Sequence, residues 1–133
     1  MNSLLKISLV VSCVLLSATT LINGQSKFVS QFQTRCGWYS NPTPSNHSFY
    51  DKDGDWLIGA QGGYQAEGDS MPIFKSRQWI ITNSGSYGYG CACFRLKVDY
   101  ETHYVLEIKS AYAKPLSVCR QDRTLKKWNL LFQ

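Results

Sequence analysis

Asn-Ser-Gly-Ser-Tyr-Gly-Tyr-Gly-Cys-Ala-Cys-Phe-Arg-Leu-Lys-Val, residues 83–98, is the stretch that decides the fold. It begins as a glycine-tyrosine loop and ends as an alternating run. Tyr89, Cys91, Cys93, Arg95 and Lys97 fall on one face of an extended chain, and Ala92, Phe94, Leu96 and Val98 on the other. The second face is core, and the first turns polar as it leaves the cysteines. Residues 104–113 alternate again, with Tyr104, Leu106, Ile108 and Tyr112 set against Glu107, Lys109 and Ala113. The turn Tyr100-Glu101-Thr102-His103 lies between the two runs, so they are expected to pair as a long antiparallel hairpin.

Cys91 and Cys93 cannot bridge each other, because residues two apart on a strand share a face but sit too far apart. Each must bridge to Cys36 or Cys119, and both pairings are open. The fifth cysteine, Cys13, lies in a leader. Lys6, an apolar run from Ile7 to Leu16 and a small, polar exit ending at Gly24 make residues 1–24 read as a secretory signal peptide. The apolar run is too short to span a bilayer, which takes about 20 residues. Val10-Val11-Ser12-Cys13 loosely fits the sequence before a lipid-modified cysteine. The run continues past Cys13, however, so a lipid anchor there is the minor alternative. Residues 25–133 then form one domain, whose even number of cysteines implies two disulfides in an oxidising, periplasmic or extracellular setting.

Elsewhere, turn chemistry dominates. Asn41-Pro42-Thr43-Pro44 must be loop. Asp53-Gly54, between Ser48–Lys52 and Asp55–Ile58, predicts a hairpin with a type I′ turn. Gly59 to Asp69 reads as a long glycine-rich loop, and Ile73-Phe74 and Gln78–Thr82 as short strands. Pro115 opens a short helix to Gln121 that carries Cys119. The fold class is mainly β, a small antiparallel sheet or barrel with one short C-terminal helix.

The net charge of +5 suits anionic partners such as head groups or cell-wall polymers, and is too small and evenly spread to indicate nucleic acid. Asp51-Lys52-Asp53-Gly54-Asp55 opens like a calcium loop but has Trp56 and Gly62 where that loop needs Gly and Glu, so it reads as a charged hairpin tip. Glu67 and Asp69 form a carboxylate pair without a companion motif. His47 and His103 are expected to be exposed, and paired cysteines leave no thiol nucleophile for them to activate. Neither a cofactor nor a metal is expected, and no catalytic residue is assigned. Trp38, Tyr64, Tyr87 and Tyr89 lie in or beside glycine-rich loops, where rigid rings give contact area at low entropic cost. They are the candidate ligand-binding residues.

Arg35-Cys36-Gly37-Trp38, Asn41-Pro42-Thr43-Pro44, Asp53-Gly54-Asp55-Trp56, Gln61-Gly62-Gly63 and Gly90-Cys91-Ala92-Cys93 resemble a family of small exported bacterial proteins known only as a domain of unknown function. The resemblance spans about Arg35 to Trp128. It implies a bacterial, periplasmic setting and no activity. The functional expectation is a non-enzymatic binding protein of inhibitor or immunity type, acting on a protein such as a toxin or hydrolase. A carbohydrate or peptidoglycan binding module ranks second, and a cell-wall hydrolase using Glu67 or Asp69 third.

Overall fold

The computed structural model describes residues 29–133. The expected signal peptide and Cys13 lie outside them. Six strands form in chain order: β1 (Gln33–Asn41), β2 (His47–Tyr50), β3 (Asp55–Gly59), β4 (Trp79–Ile81), β5 (Gly88–Asp99) and β6 (Tyr104–Lys114). One α-helix, α1 (Leu116–Gln121), and a 3-10 helix (Arg123–Trp128) follow. The sheet order is β1-β2-β3-β6-β5-β4, and β1 pairs again with β5, so five of the strands close into a ring. β5 is the hub. It carries β1 on one edge, from Gln33↔Leu96 to Asn41↔Gly88. On its other edge β6 pairs from Asp99 back to Cys91, and β4 continues that edge from Gly90 to Gly88.

The mainly β fold, the β5–β6 hairpin and the short helix match the sequence-based expectation. Four details differ, each for a physical reason. The ring is mixed, because β3 meets β6 in parallel at Leu57↔Tyr104. In β6 the buried residues are Val105 and Ile108, so of the expected set Ile108 faces in while Tyr104 and Leu106 are half-buried and Tyr112 is exposed. Register shifts between Arg95/Leu96 and Lys97/Val98 insert extra residues on β6 and change which side chains face in. The β2–β3 loop has four residues, since Tyr50 pairs with Asp55, and Gly54 does not adopt a left-handed φ. Asp51 closes it instead, its Oδ1 accepting from the backbone N–H of Asp53 and Gly54 at 2.8 and 3.1 Å. Finally, Ile73-Phe74 joins no strand.

Alternation on β1 and β5 feeds two hydrophobic clusters. Inside the ring lie Tyr39, Phe49, Trp56, Ile58, Phe94, Leu96 and Val105. Outside, Trp38, Tyr89, Cys91, Leu116, Cys119, Leu125 and Phe132 form a second cluster, covered by α1 and the C-terminal tail. Trp38 stacks on Phe132 at 5.3 Å, and the Tyr89 hydroxyl donates to the Gln133 carbonyl. The disulfides are Cys36–Cys93 and Cys91–Cys119. The first joins directly opposed residues of β1 and β5, and the second ties α1 to β5.

Candidate binding site

Two of the sequence motifs turn out to hold the fold together at one end of the ring. Arg35, only 7% exposed, donates from Nη1 to Asp51 at 2.6 Å and to Asp53 at 2.8 Å, and from Nη2 to the Tyr100 hydroxyl at 2.6 Å. Its guanidinium lies 4.9 Å from the Trp56 ring centroid. Asp51 Oδ1 also accepts from Trp56 Nε1 at 2.9 Å. Burial opposes the charge on Arg35, but the Asp51 carboxylate outweighs it, and the guanidinium pKa is raised. Burial likewise pushes Asp53 upward, yet the Lys52 hydrogen bond and the nearby cations hold its carboxyl below the usual range. Asp51 and Asp53, two carboxylates of the stretch that opens like a calcium loop, are thus taken up by Arg35.

At the opposite end of the ring, where Asn41 pairs with Gly88, an aromatic pocket opens. Tyr39, Phe74 and Trp79 form its apolar wall, with Phe74–Trp79 at 4.7 Å and Tyr39–Phe74 nearly parallel at 5.9 Å. Asn41, Lys75, Ser76 and Ser86 supply its polar rim around about 340 Å³. A 3-10 turn at Ser76–Gln78 brings Phe74 back over Trp79, fixed by Lys75 N donating to Gln78 Oε1 at 3.0 Å. Gly90 lets Phe74 lie against β5, since a Cβ there would collide with the ring. Trp79 is anchored by its Nε1 donating to the Ser86 carbonyl at 2.9 Å. Tyr39 Oη and His47 Nδ1 share a 2.6 Å hydrogen bond. Burial raises the Tyr39 pKa well above its ordinary value and lowers that of His47. Asn41 Oδ1 is buried with no hydrogen-bond partner among the described residues. Such an acceptor is costly unless something meets it.

Of the four expected ligand-binding residues, Trp38 is 0% exposed and Tyr89 is buried too, so neither offers a face to a ligand. Both belong to the outer cluster, because the tail folds over the loop end of β1 and β5. Tyr64 is half-buried. It packs on Tyr104 at 4.5 Å, donates to the Val105 carbonyl at 2.7 Å, and lines a separate cavity of about 410 Å³ with Gln65, Glu67 and Glu107. Tyr87 is half-buried in the β4–β5 loop. The four do not form one platform. Glu67 lines the Tyr64 cavity, and Asp69 is exposed without lining it. His103 is exposed as expected and stacks on Trp56, while His47 is half-buried.

Phe74, Trp79 and Asn41 were not singled out by sequence reasoning. The one available signal was apolar residues at 73, 74 and 79 that follow no alternation and flank a polar break.

A family model described as "Protein of unknown function (DUF4087)" matches residues 30–126, most of the chain. No curated protein and no solved structure matches it.

Proposed function

This chain belongs to the DUF4087 family of proteins of unknown function, and we propose that it is an exported, non-enzymatic binding protein of inhibitor or immunity type, acting on a partner protein. The observation that carries this reading is the Tyr39–Phe74–Trp79 pocket with the unpartnered Asn41 acceptor at its edge. Beside it, Ile73 is 91% and Ile81 62% exposed. Large apolar side chains left in water around an aromatic hollow favour a partner that inserts one of its own. The two disulfides favour an oxidising compartment.

The test is capture from a periplasmic extract with the immobilised protein and its Trp79→Ala and Phe74→Ala variants. A specific protein should be retained, and each variant should weaken its Kd by roughly thirtyfold, the effect of a loss of about 2 kcal/mol at a central anchor. No retained protein, or equal retention by both variants, would sink the reading.

The glycan alternative is kept by one observation. Tyr64 stands beside Gln65, Glu67 and Glu107, a ring with planar hydrogen-bonding groups around a cavity. It predicts sedimentation with purified peptidoglycan that Tyr64→Ala abolishes. Sedimentation insensitive to that change would rule out this site.

A further inference from the structure

The two disulfides lie on the same face of β5 but in opposite surroundings. Cys91 and Cys119 are 0% and 1% exposed, deep in the outer cluster. Cys93 is equally hidden, but its partner Cys36 is exposed and lines an open hollow with Thr34, Lys52, Asp51, Asp53 and Asp122. The cause is where the cover ends. α1 and the tail blanket Trp38, Tyr89 and Cys91, and the next outward position on each strand, Cys36 on β1 and Cys93 on β5, falls at the margin. Past it the face is polar and carries charges of both signs. Arg95 is exposed one outward position further along β5, opposite Thr34 and Ser110.

The geometry points to Cys36–Cys93 as a thiol-exchange site, opened at Cys36 Sγ by a dithiol reductant while the protein stays folded. A reductant thiolate attacks Cys36 Sγ, the Cys36–Cys93 bond breaks, and Cys93 leaves as a thiolate that takes a proton from water. The reductant's second thiolate then attacks the sulfur bonded to Cys36, releasing Cys36 as a thiol and the reductant as its own disulfide. Two electrons pass from the dithiol to the bridge. Three features favour this course. The attacked cysteine is the exposed member of the pair. Asp51 and Asp53 of the hollow are paired with Arg35 and Lys52, and Arg95, one outward position beyond Cys93, offsets Asp122 and favours an anionic nucleophile. The β1–β5 ladder extends to both sides of the bridge, from Gln33↔Leu96 to Asn41↔Gly88, so the strands stay paired when it opens. This site is independent of the aromatic pocket.

The experiment is timed reduction of the folded protein with dithiothreitol, trapping with iodoacetamide and peptide mapping, with tryptophan fluorescence followed in parallel. Cys36 and Cys93 should be labelled on the order of tenfold or more faster than Cys91 and Cys119, with unchanged fluorescence. Equal rates for the two pairs, earlier labelling of Cys91 and Cys119, or labelling that only accompanies unfolding would overturn the proposal. Cys36→Ser with Cys93→Ser should remove the fast phase and leave the slow one; a surviving fast phase would also overturn it. Arg95→Glu should slow exchange with glutathione, which is anionic, several-fold more than exchange with uncharged 2-mercaptoethanol. An unchanged ratio would overturn the role assigned to Arg95.

Discussion

The two faces of β5 are both buried near its start, yet they are built by different means. The inner face is closed by the ring itself, with Phe94 against Phe49 at 4.9 Å and Leu96 and Val98 beneath. Among the described residues the outer face has no second sheet. It is closed by a six-residue helix, a 3-10 turn and the last residues of the chain, held down by Cys91–Cys119. A helix this short does not hold itself in water. The disulfide and the aromatic contacts of Phe132 supply what the helix lacks. Strand pairing makes a face that closes on its own, whereas a cap made from a tail needs covalent and polar ties.

Asp51 joins the two faces, and breaking it should have an effect as large as any single change. Its carboxylate holds Arg35 and Trp56 inside, while its carbonyl accepts from Trp128 Nε1 at 2.8 Å outside. Asp51→Ala leaves the buried Arg35 charge with only the exposed Asp53 as carboxylate partner and strips Trp56 Nε1 of its acceptor, and should cost about 3–5 kcal/mol in urea unfolding. Arg35→Met combined with Asp51→Leu should cost clearly less, because no lone charge is left behind; equal losses would deny the ion pair its role.

On the inner face alone, Phe94→Ala should also cost about 3–5 kcal/mol, with one cooperative transition. On the outer face, replacing Cys91 and Cys119 together by Ala should cost about 2–4 kcal/mol. It should also raise amide exchange selectively over residues 116–132, leaving the ring protected. Exchange rising evenly across both faces would show that they unfold as one. Phe132→Ala should follow at about 1.5–3 kcal/mol, the worth of one buried ring.

The smallest effect concerns His47, the hydrogen-bond partner of Tyr39 in the pocket wall. Burial lowers its pKa below the ordinary 6.5. The unfolded chain therefore takes up a proton near pH 6.5 while the folded chain does not, and stability present above that pH is lost as pH falls below it. His47→Gln should flatten the slope of stability against pH in that window. An identical slope in the variant would assign the acid sensitivity to another group.

Much of this arrangement was legible in the residues. Phe94, Leu96 and Val98 alternate with Arg95 and Lys97 over a full strand, and that period belongs to a sheet with one face buried. Pro115 before an apolar stretch marked the helix. The binding pocket was not legible, because Phe74 and Trp79 act through a 3-10 turn and Asn41 comes from another strand altogether. Two of the four candidate ligand-binding residues are buried for a related reason. Trp38 and Tyr89 look loop-borne in the chain, but Phe132, more than forty residues after Tyr89, folds over both.

By itself the sequence determined the class of the fold, its central hairpin, and that Cys91 and Cys93 must reach elsewhere. These follow from local geometry, the two-residue period of a strand and the reach of a disulfide. Only the tertiary structure decided which cysteine takes which partner, the parallel contact that closes the ring, and which aromatic rings face water. Those depend on how distant segments meet, and a bulge that shifts one strand by a residue is enough to exchange the side chains that look in for those that look out.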